Sequence, residues 1–91
     1  MPQRILLPTP FHQFTNGLDA VSVNALTVKE AFEQLDKAYP GVKLRLCESE
    51  DRLKRFVNVY VDGEDIRFLS HLDSALRDGS EISVILAVAG G

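Results

Sequence analysis

Few side chains in this sequence could do chemistry, and those few are scattered. The single cysteine, Cys47, and the two histidines, His12 and His71, lie far apart, with no nucleophile at an obvious spacing from either histidine. Acidic neighbours would raise the pKa of the Cys47 thiol, so we interpret it as structural. The acidic run at 48–51 is typical of a solvated surface, and 62–65 of a tight turn that lacks the full ligand series of a calcium loop. The side chains therefore predict neither a catalytic nor a metal site.

The group best placed for chemistry is the C-terminal carboxylate at the end of the run Ala87-Val88-Ala89-Gly90-Gly91. Glycine lacks a Cβ, so Gly90 and Gly91 could thread a narrow channel that side chains would block. Five extended residues span at most about 17 Å, enough to enter an active site while a folded body stays outside. A terminal Gly-Gly ends roughly one chain in 200 by chance, so the rest of the sequence must decide whether this one matters.

Composition excludes several classes of protein. The chain has 91 residues, the size of one domain, with a formal net charge of −3 and 25% charged residues. Because no stretch gathers lysines and arginines into a stripe, we expect no nucleic-acid partner. The longest apolar run, 82–89, is far shorter than the roughly 20 residues of a membrane span, and we see no signal peptide. We therefore expect no membrane partner and a cytoplasmic location.

The clearest predicted element is an amphipathic helix that begins after Thr27. Thr27 and Glu30 have the spacing of a capping box, in which each side chain satisfies a backbone N–H of the first turn. Pro40-Gly41 ends the helix. One face is apolar and consists of Val28, Ala31, Phe32, Leu35 and Tyr39.

The remaining segments indicate five strands. Strands are predicted over 3–7, 18–23, 56–61, 64–68 and 82–87, short helical turns over 42–47 and 72–76, and loops over 11–17 and 48–54. Alternation in the third strand places valines on one face and Phe56, Asn58 and Tyr60 on the other. The valine face should meet the helix. The predicted core comprises Val57, Val59, Val61, Ile82, Val84, Leu86, Phe32 and Leu35.

This order of elements predicts an α+β fold. If the helix crosses one face of a mixed sheet, the first and last strands can lie adjacent and parallel, which is the β-grasp arrangement. We assign residues 1–86 to this domain and residues 87–91 to a flexible C-terminal tail.

At this point the chain resembles the ubiquitin-like sulfur carriers, which include the small subunit of molybdopterin synthase and the thiamine-pathway carrier. The resemblance covers essentially the whole length. It rests on Arg55-Phe56-Val57-Asn58-Val59-Tyr60-Val61, Asp65-Ile66-Arg67-Phe68, Asp78-Gly79 and the Ala-Val-Ala-Gly-Gly ending. The Arg-Phe-Val-Asn stretch and the ending look closer to the carrier that supplies sulfur to a cysteine synthase than to the molybdopterin subunit.

The resemblance implies a carrier rather than an enzyme. A partner would adenylate the Gly91 carboxylate with ATP, and sulfur would displace the adenylate to give a thiocarboxylate. The carrier would need no cofactor of its own. The implied partners are this adenylating enzyme and a sulfur-accepting enzyme, a cysteine synthase by our first interpretation, with a tail-processing metalloprotease left open.

The sheet face away from the helix is the expected partner-binding surface. The residues assigned to it are Phe56, Tyr60, Phe68 and Ile85, with Leu6 as a further candidate. Exposed apolar clusters usually mark contact surfaces, although loops could cover some of these side chains.

Other functions stay open at this stage. The same fold serves protein modifiers, for which Gly91 would end in an isopeptide bond to lysine, and the molybdopterin synthase subunit. A plain interaction module, whose tail has no chemistry, is the alternative from a different class. The sequence leaves open the sulfur acceptor, the oligomeric state, and whether Gly91 is the encoded end or is exposed by proteolysis.

Overall fold

A five-stranded mixed sheet supports the main helix on one face. The structure, a computed structural model, describes residues 2–87. In chain order the elements are β1 (Gln3–Leu6), a 3-10 helix (Thr9–Phe14), β2 (Ala20–Val23), α1 (Val28–Ala38), α2 (Val42–Leu46), β3 (Cys47–Ser49), β4 (Arg52–Leu53), β5 (Val57–Val61), β6 (Glu64–Asp65), two 3-10 helices (Ile66–Phe68 and His71–Asp73) and β7 (Glu81–Leu86). The large sheet has the order β2-β1-β7-β5-β6, and β3 and β4 form a separate small sheet.

The centre of the large sheet has the predicted β-grasp pairing. The first and last strands, β1 and β7, are parallel neighbours, with Ile5 opposite Ile82. On its other side β7 pairs antiparallel with β5, and β1 forms an antiparallel hairpin with β2. The predicted α+β fold is therefore confirmed.

The core lies between the sheet and α1, as the alternation in the sequence predicted. Of the eight predicted core residues, seven are buried: Phe32, Leu35, Val57, Val59, Val61, Ile82 and Val84. Leu86 is only half-buried and packs at the margin of the core. Leu86 is the last residue of β7.

The first turn of α1 is capped as predicted, with one difference. Thr27 Oγ1 accepts the backbone N–H of Glu30 at 3.2 Å, but the Glu30 carboxylate returns to the N–H of Leu26 at 3.3 Å rather than to that of Thr27. After the helix, Gly41 adopts a φ of +103°, a left-handed value that glycine tolerates readily. At 11 residues α1 is a short helix, and among residues 2–87 no helix is long and apolar enough to cross a membrane.

Two segments predicted as loops contain regular structure. The prediction for 11–17 was wrong in part, because Thr9–Phe14 is a 3-10 helix that begins with Pro10 near its first position and buries Phe11. Strand β2 starts at Ala20 rather than at 18, since Thr15 Oγ1 donates to the carbonyl of Leu18 at 2.8 Å and holds that residue in the preceding turn. The helical turn predicted over 72–76 is the 3-10 helix His71–Asp73.

The charged segment 48–54 forms the hairpin of β3 and β4, which a reading of charge alone could not predict. Its turn carries two acidic side chains that meet lysines from the helices. Glu50 pairs with Lys43 of α2 at 3.3 Å, and Asp51 pairs with Lys29 of α1 at 3.2 Å. The carboxylates are exposed, which agrees with the expected solvated surface and makes each pair a small contribution to stability.

Candidate functional site

The chain leaves the large sheet at the end of its central strand β7. The N–H of Ala87, the last described residue, donates to the carbonyl of Phe56 at 2.8 Å, one step beyond the end of the β5–β7 ladder. We call this junction the tail root. The four residues that follow, Val88, Ala89, Gly90 and Gly91, lie outside the described residues. The predicted tail, and the role of its carboxylate, therefore stay predictions.

Three of the four predicted partner-binding residues lie on one face of the sheet. Phe56, which directly precedes β5, and Tyr60 of β5 lie two residues to either side of Asn58, and Asn58 pairs with Ile85 of β7. Side chains at directly paired positions share a face, so Ile85 lies diagonally between the two aromatic rings. Phe56 and Ile85 are 47% and 48% exposed, whereas Tyr60 is half-buried. We call this apolar surface the outer face.

Phe68 is exposed but does not belong to the sheet. The strand predicted over 64–68 ends at Asp65, and Phe68 lies on the following 3-10 helix, 81% exposed. The local cause is Asp65, whose carboxylate accepts the backbone N–H of Arg67 at 2.8 Å and turns the chain out of the ladder. The sheet position expected for Phe68 is therefore wrong, and its role in partner binding stays a prediction.

The same carboxylate is held by the Arg67 side chain. Arg67 Nη2 and Nε lie 2.8 and 3.1 Å from Asp65 Oδ2. These side-chain hydrogen bonds, followed by the backbone N–H of Arg67, lower the pKa of Asp65. Asp65 itself is buried, whereas the arginine side chain is 64% exposed. The pair therefore fixes the turn that follows β6.

The Asp65–Arg67 ion pair should make the stability of the fold depend on pH. Because the folded pKa of Asp65 is lowered, its interaction stabilises the fold above the pKa of an unfolded aspartate, about 3.9, and that stabilisation is lost as pH falls through the folded pKa. Arg67→Gln should therefore lower the free energy of unfolding most near neutral pH, and the difference from the unmodified chain should vanish in acid. Urea unfolding at a series of pH values measures this. Arg55→Gln, an exposed arginine, is the control and should give a difference independent of pH; a pH-independent Arg67→Gln difference would contradict the assignment.

The other candidate side chains form no site. Cys47 is buried, and burial raises the pKa of its thiol, more than Lys43 lowers it, as expected of a structural cysteine. His12 Nε2 lies 2.9 Å from the carbonyl of Leu7, and His71 is exposed with a φ of +53°. Within residues 2–87 no histidine, cysteine and carboxylate side chains cluster as metal ligands would.

Sequence analysis missed one feature near the tail root. A groove of about 420 Å³ lies beside β5 and is lined by three cations that directly precede Phe56: Arg52, Lys54 and Arg55. The available signal was the dense run Arg-Leu-Lys-Arg at 52–55, but 52–54 was assigned to the charged loop 48–54 and Arg55 to the stretch that carries the family resemblance.

Comparison with known proteins decides the family. The chain matches the sequence model of the ThiS family over residues 5–91. The chain belongs to this family of ubiquitin-like sulfur carriers. It is 37% identical over 89 residues to the sulfur carrier protein CysO of Mycobacterium tuberculosis, a match that covers 96% of each chain. Members of the sulfur carrier family are small carriers and not catalysts, and this chain is accordingly not an enzyme.

Solved structures agree with this placement. The fold superposes on a chain in the crystal structure of the BexX/CysO complex of Amycolatopsis orientalis with a TM-score of 0.91 and 36% identity, covering 98% of this chain and 99% of that one. A further relative, small archaeal modifier protein 3 of Haloferax volcanii, is 37% identical over 65 residues, which are 71% of this chain and 70% of that protein. Sulfur carriers and a named modifier are therefore both among the relatives.

Proposed function

We propose that this protein carries sulfur as a thiocarboxylate on Gly91 and donates it in biosynthesis. The observation that carries the proposal is the family match, which runs through Gly91, together with the fixed tail root at the end of the central strand. A hydrogen bond of 2.8 Å holds Ala87 there, so the residues after it start from a defined point at the end of the central strand. A partner that binds the outer face can then receive the terminus at a defined distance from that face.

The chemistry needs a partner at each step. In the first step the Gly91 carboxylate attacks the α-phosphate of ATP, forming an acyl adenylate and releasing pyrophosphate. In the second step hydrosulfide attacks the acyl carbon and AMP leaves, which gives the thiocarboxylate directly. The terminus is the only group of the carrier that takes part in these two proposed steps. The rest of the fold therefore serves to bind the partner and to present the terminus to it.

For the acceptor we propose a cysteine synthase. The relatives at 37% identity over 96% of the chain are named sulfur carrier protein CysO. A similar chain occurs in a crystallised complex with a protein named BexX, which supports a partner protein for this chain too. Stable recognition of partners would then use the outer face, because the tail alone offers few side chains.

Substitutions on the outer face should weaken partner binding and leave the fold stable. Phe56→Gln combined with Ile85→Gln should weaken binding to the adenylating enzyme by about tenfold or more, the effect expected when interface anchors are lost. Both side chains are half exposed, so the free energy of unfolding should change little. The control is Leu44→Gln, an exposed leucine on α2 that is 77% accessible and lies outside the outer face. Equal losses of binding and stability would instead make Phe56 and Ile85 core residues.

A protein modifier is the second candidate function, and the match to small archaeal modifier protein 3 favours keeping it. Both functions begin with an acyl adenylate at Gly91. They differ in what attacks the acyl group, which is sulfur for a carrier and a lysine amine for a modifier. The products therefore separate them.

Reconstitution tests the proposal. The chain is incubated with an adenylating enzyme of the family, ATP and a sulfide source, and its intact mass is then measured. The proposal expects one oxygen-for-sulfur exchange, located at Gly91 by fragmentation, and no exchange without ATP. A ladder of lysine conjugates in place of the exchange would favour the modifier function. An unchanged mass with an enzyme that converts another carrier would overturn the proposal.

A further inference from the structure

The groove beside β5 is lined by both apolar and basic side chains. Its volume is about 420 Å³, within the range of clefts that hold ligands or anchor side chains. The apolar lining residues include four buried ones, Val57, Val59, Ile66 and Leu72. One wall is the segment 51–55, which includes β4, and the other is the segment 65–72 with its two short 3-10 helices. We call this feature the basic groove.

Of the four cations that line the basic groove, three form no ion pair with its aspartates. Both lining aspartates already have partners, since Asp51 pairs with Lys29 at 3.2 Å and Asp65 with Arg67 at 2.8 Å. In the part of the chain from 2 to 87, no carboxylate forms an ion pair with the remaining cations, which are Arg52, Lys54 and Arg55. Arg52 and Arg55 are exposed, and Lys54 is half-buried. An anionic group could therefore approach without displacing an existing partner.

The charge of the groove is opposite to that of the rest of the molecule. Four arginines and lysines and two aspartates line it, a net charge of +2, whereas the whole chain carries −3. The remainder therefore carries −5. A local field of this sign orients an approaching acidic surface toward the groove and away from the other faces.

The position of the groove links it to the tail. Arg55 directly precedes Phe56, which belongs to the outer face and whose carbonyl holds the N–H of Ala87 at the tail root. The basic groove and the outer face therefore meet at the point from which the terminus must enter a partner. A protein that receives the terminus would contact both surfaces at once.

We propose that the basic groove is the docking site for an acidic patch on the adenylating enzyme, beside the entrance through which that enzyme admits the terminus. This inference rests on the proposed function and adds the chemistry of the partner surface. Acidic protein is favoured over nucleic acid, because three cations without an ion-pair partner among residues 2–87, on a chain of net negative charge, form no continuous track along a phosphate backbone. Charges of this kind at an interface rim mainly accelerate encounter and fix orientation.

The test is the salt dependence of thiocarboxylate formation in charge-reversed variants. Arg52→Glu with Arg55→Glu is compared with Lys37→Glu with Arg77→Glu, a control that changes net charge equally at exposed positions outside the groove. At low ionic strength kcat/KM for the groove variant should fall by about tenfold or more, the lower end of electrostatic steering effects. The loss should shrink near 1 M salt, where the Debye length is about 3 Å, and kcat at saturating carrier should be unchanged.

Other outcomes distinguish a failure of the docking site from a failure of the sulfur carrier function. Urea unfolding shows whether both variants remain folded, and Arg52→Gln with Arg55→Gln provides a milder change if the reversed variant does not. Equal rates for groove and control variants, or a loss that persists at high salt, would overturn the docking site while leaving the sulfur carrier function intact. If the unmodified chain gains no sulfur from the enzyme, the proposed function fails and this inference fails with it.

Discussion

Deleting Gly90 and Gly91 should abolish thiocarboxylate formation and leave the folded domain as stable as the full chain. The reactive group is proposed to be the carboxylate of Gly91, and the shortened chain would present a carboxylate on Ala89 instead. That carboxylate carries a methyl side chain and falls two residues short, a loss of about 7 Å of reach for extended residues. Among residues 2–87, the buried core residues lie between Ile5 and Val84, and a chain terminus makes few buried contacts, so the free energy of unfolding should change by less than about 0.5 kcal/mol.

The measurement is the reconstitution assay described above, read as intact mass, together with urea unfolding. Gly91→Ala is the matched variant, because it keeps the length and the carboxylate and adds one methyl group. It should slow transfer by obstructing the partner's channel, without preventing adenylation in principle. If the deleted chain still gains sulfur or still supplies the acceptor, the terminus is not the reactive site.

Replacing Phe32 by alanine should remove a large part of the stability of the fold. Phe32 lies on the face of α1 that meets the sheet, is 1% exposed, and is among the largest fully buried side chains. Truncation of a buried phenylalanine costs about 3 to 5 kcal/mol, as lost burial plus the cavity that remains. Folded domains of this size are stable by only about 5 to 15 kcal/mol, so the loss is large. Urea unfolding of the variant and the unmodified chain gives the difference.

Phe68→Ala is the control for this prediction. The change in chemistry is the same, but Phe68 is 81% exposed, so its removal should alter the free energy of unfolding by less than about 0.5 kcal/mol. Phe32→Leu keeps most of the buried volume and gives a smaller, measurable loss if the alanine variant does not fold. Similar effects for Phe32 and Phe68 would contradict the assignment of the core.

Elements with a local signal could be predicted from sequence. Three local patterns could be recognised without knowledge of the rest of the chain. They are the spacing of the capping pair Thr27 and Glu30, the apolar face of α1, and the alternating valines of β5. The turn at Asp62-Gly63 was also clear. Both residues have positive φ, of +49° and +87°, as the two central positions of a type I′ hairpin turn require.

Elements that depend on tertiary contacts could not be predicted. The hairpin of β3 and β4 is too short to show alternation, and its turn is tied down by lysines from two helices. The strand predicted over 64–68 stops at Asp65, because the Asp65 carboxylate accepts the backbone N–H of Arg67 and starts a 3-10 turn. The basic groove also depends on tertiary contacts. Arg52 and Arg67 are 15 residues apart in sequence, so only folding brings them to one cleft.

The most direct measurement is the intact mass of this protein purified from its native cells under conditions that preserve thiocarboxylates. The sulfur carrier function predicts a population in which one oxygen is replaced by sulfur, with the change confined to Gly91 and removed by alkylation and hydrolysis. A terminus that carries only oxygen, in cells that are actively taking up sulfur, would contradict that function.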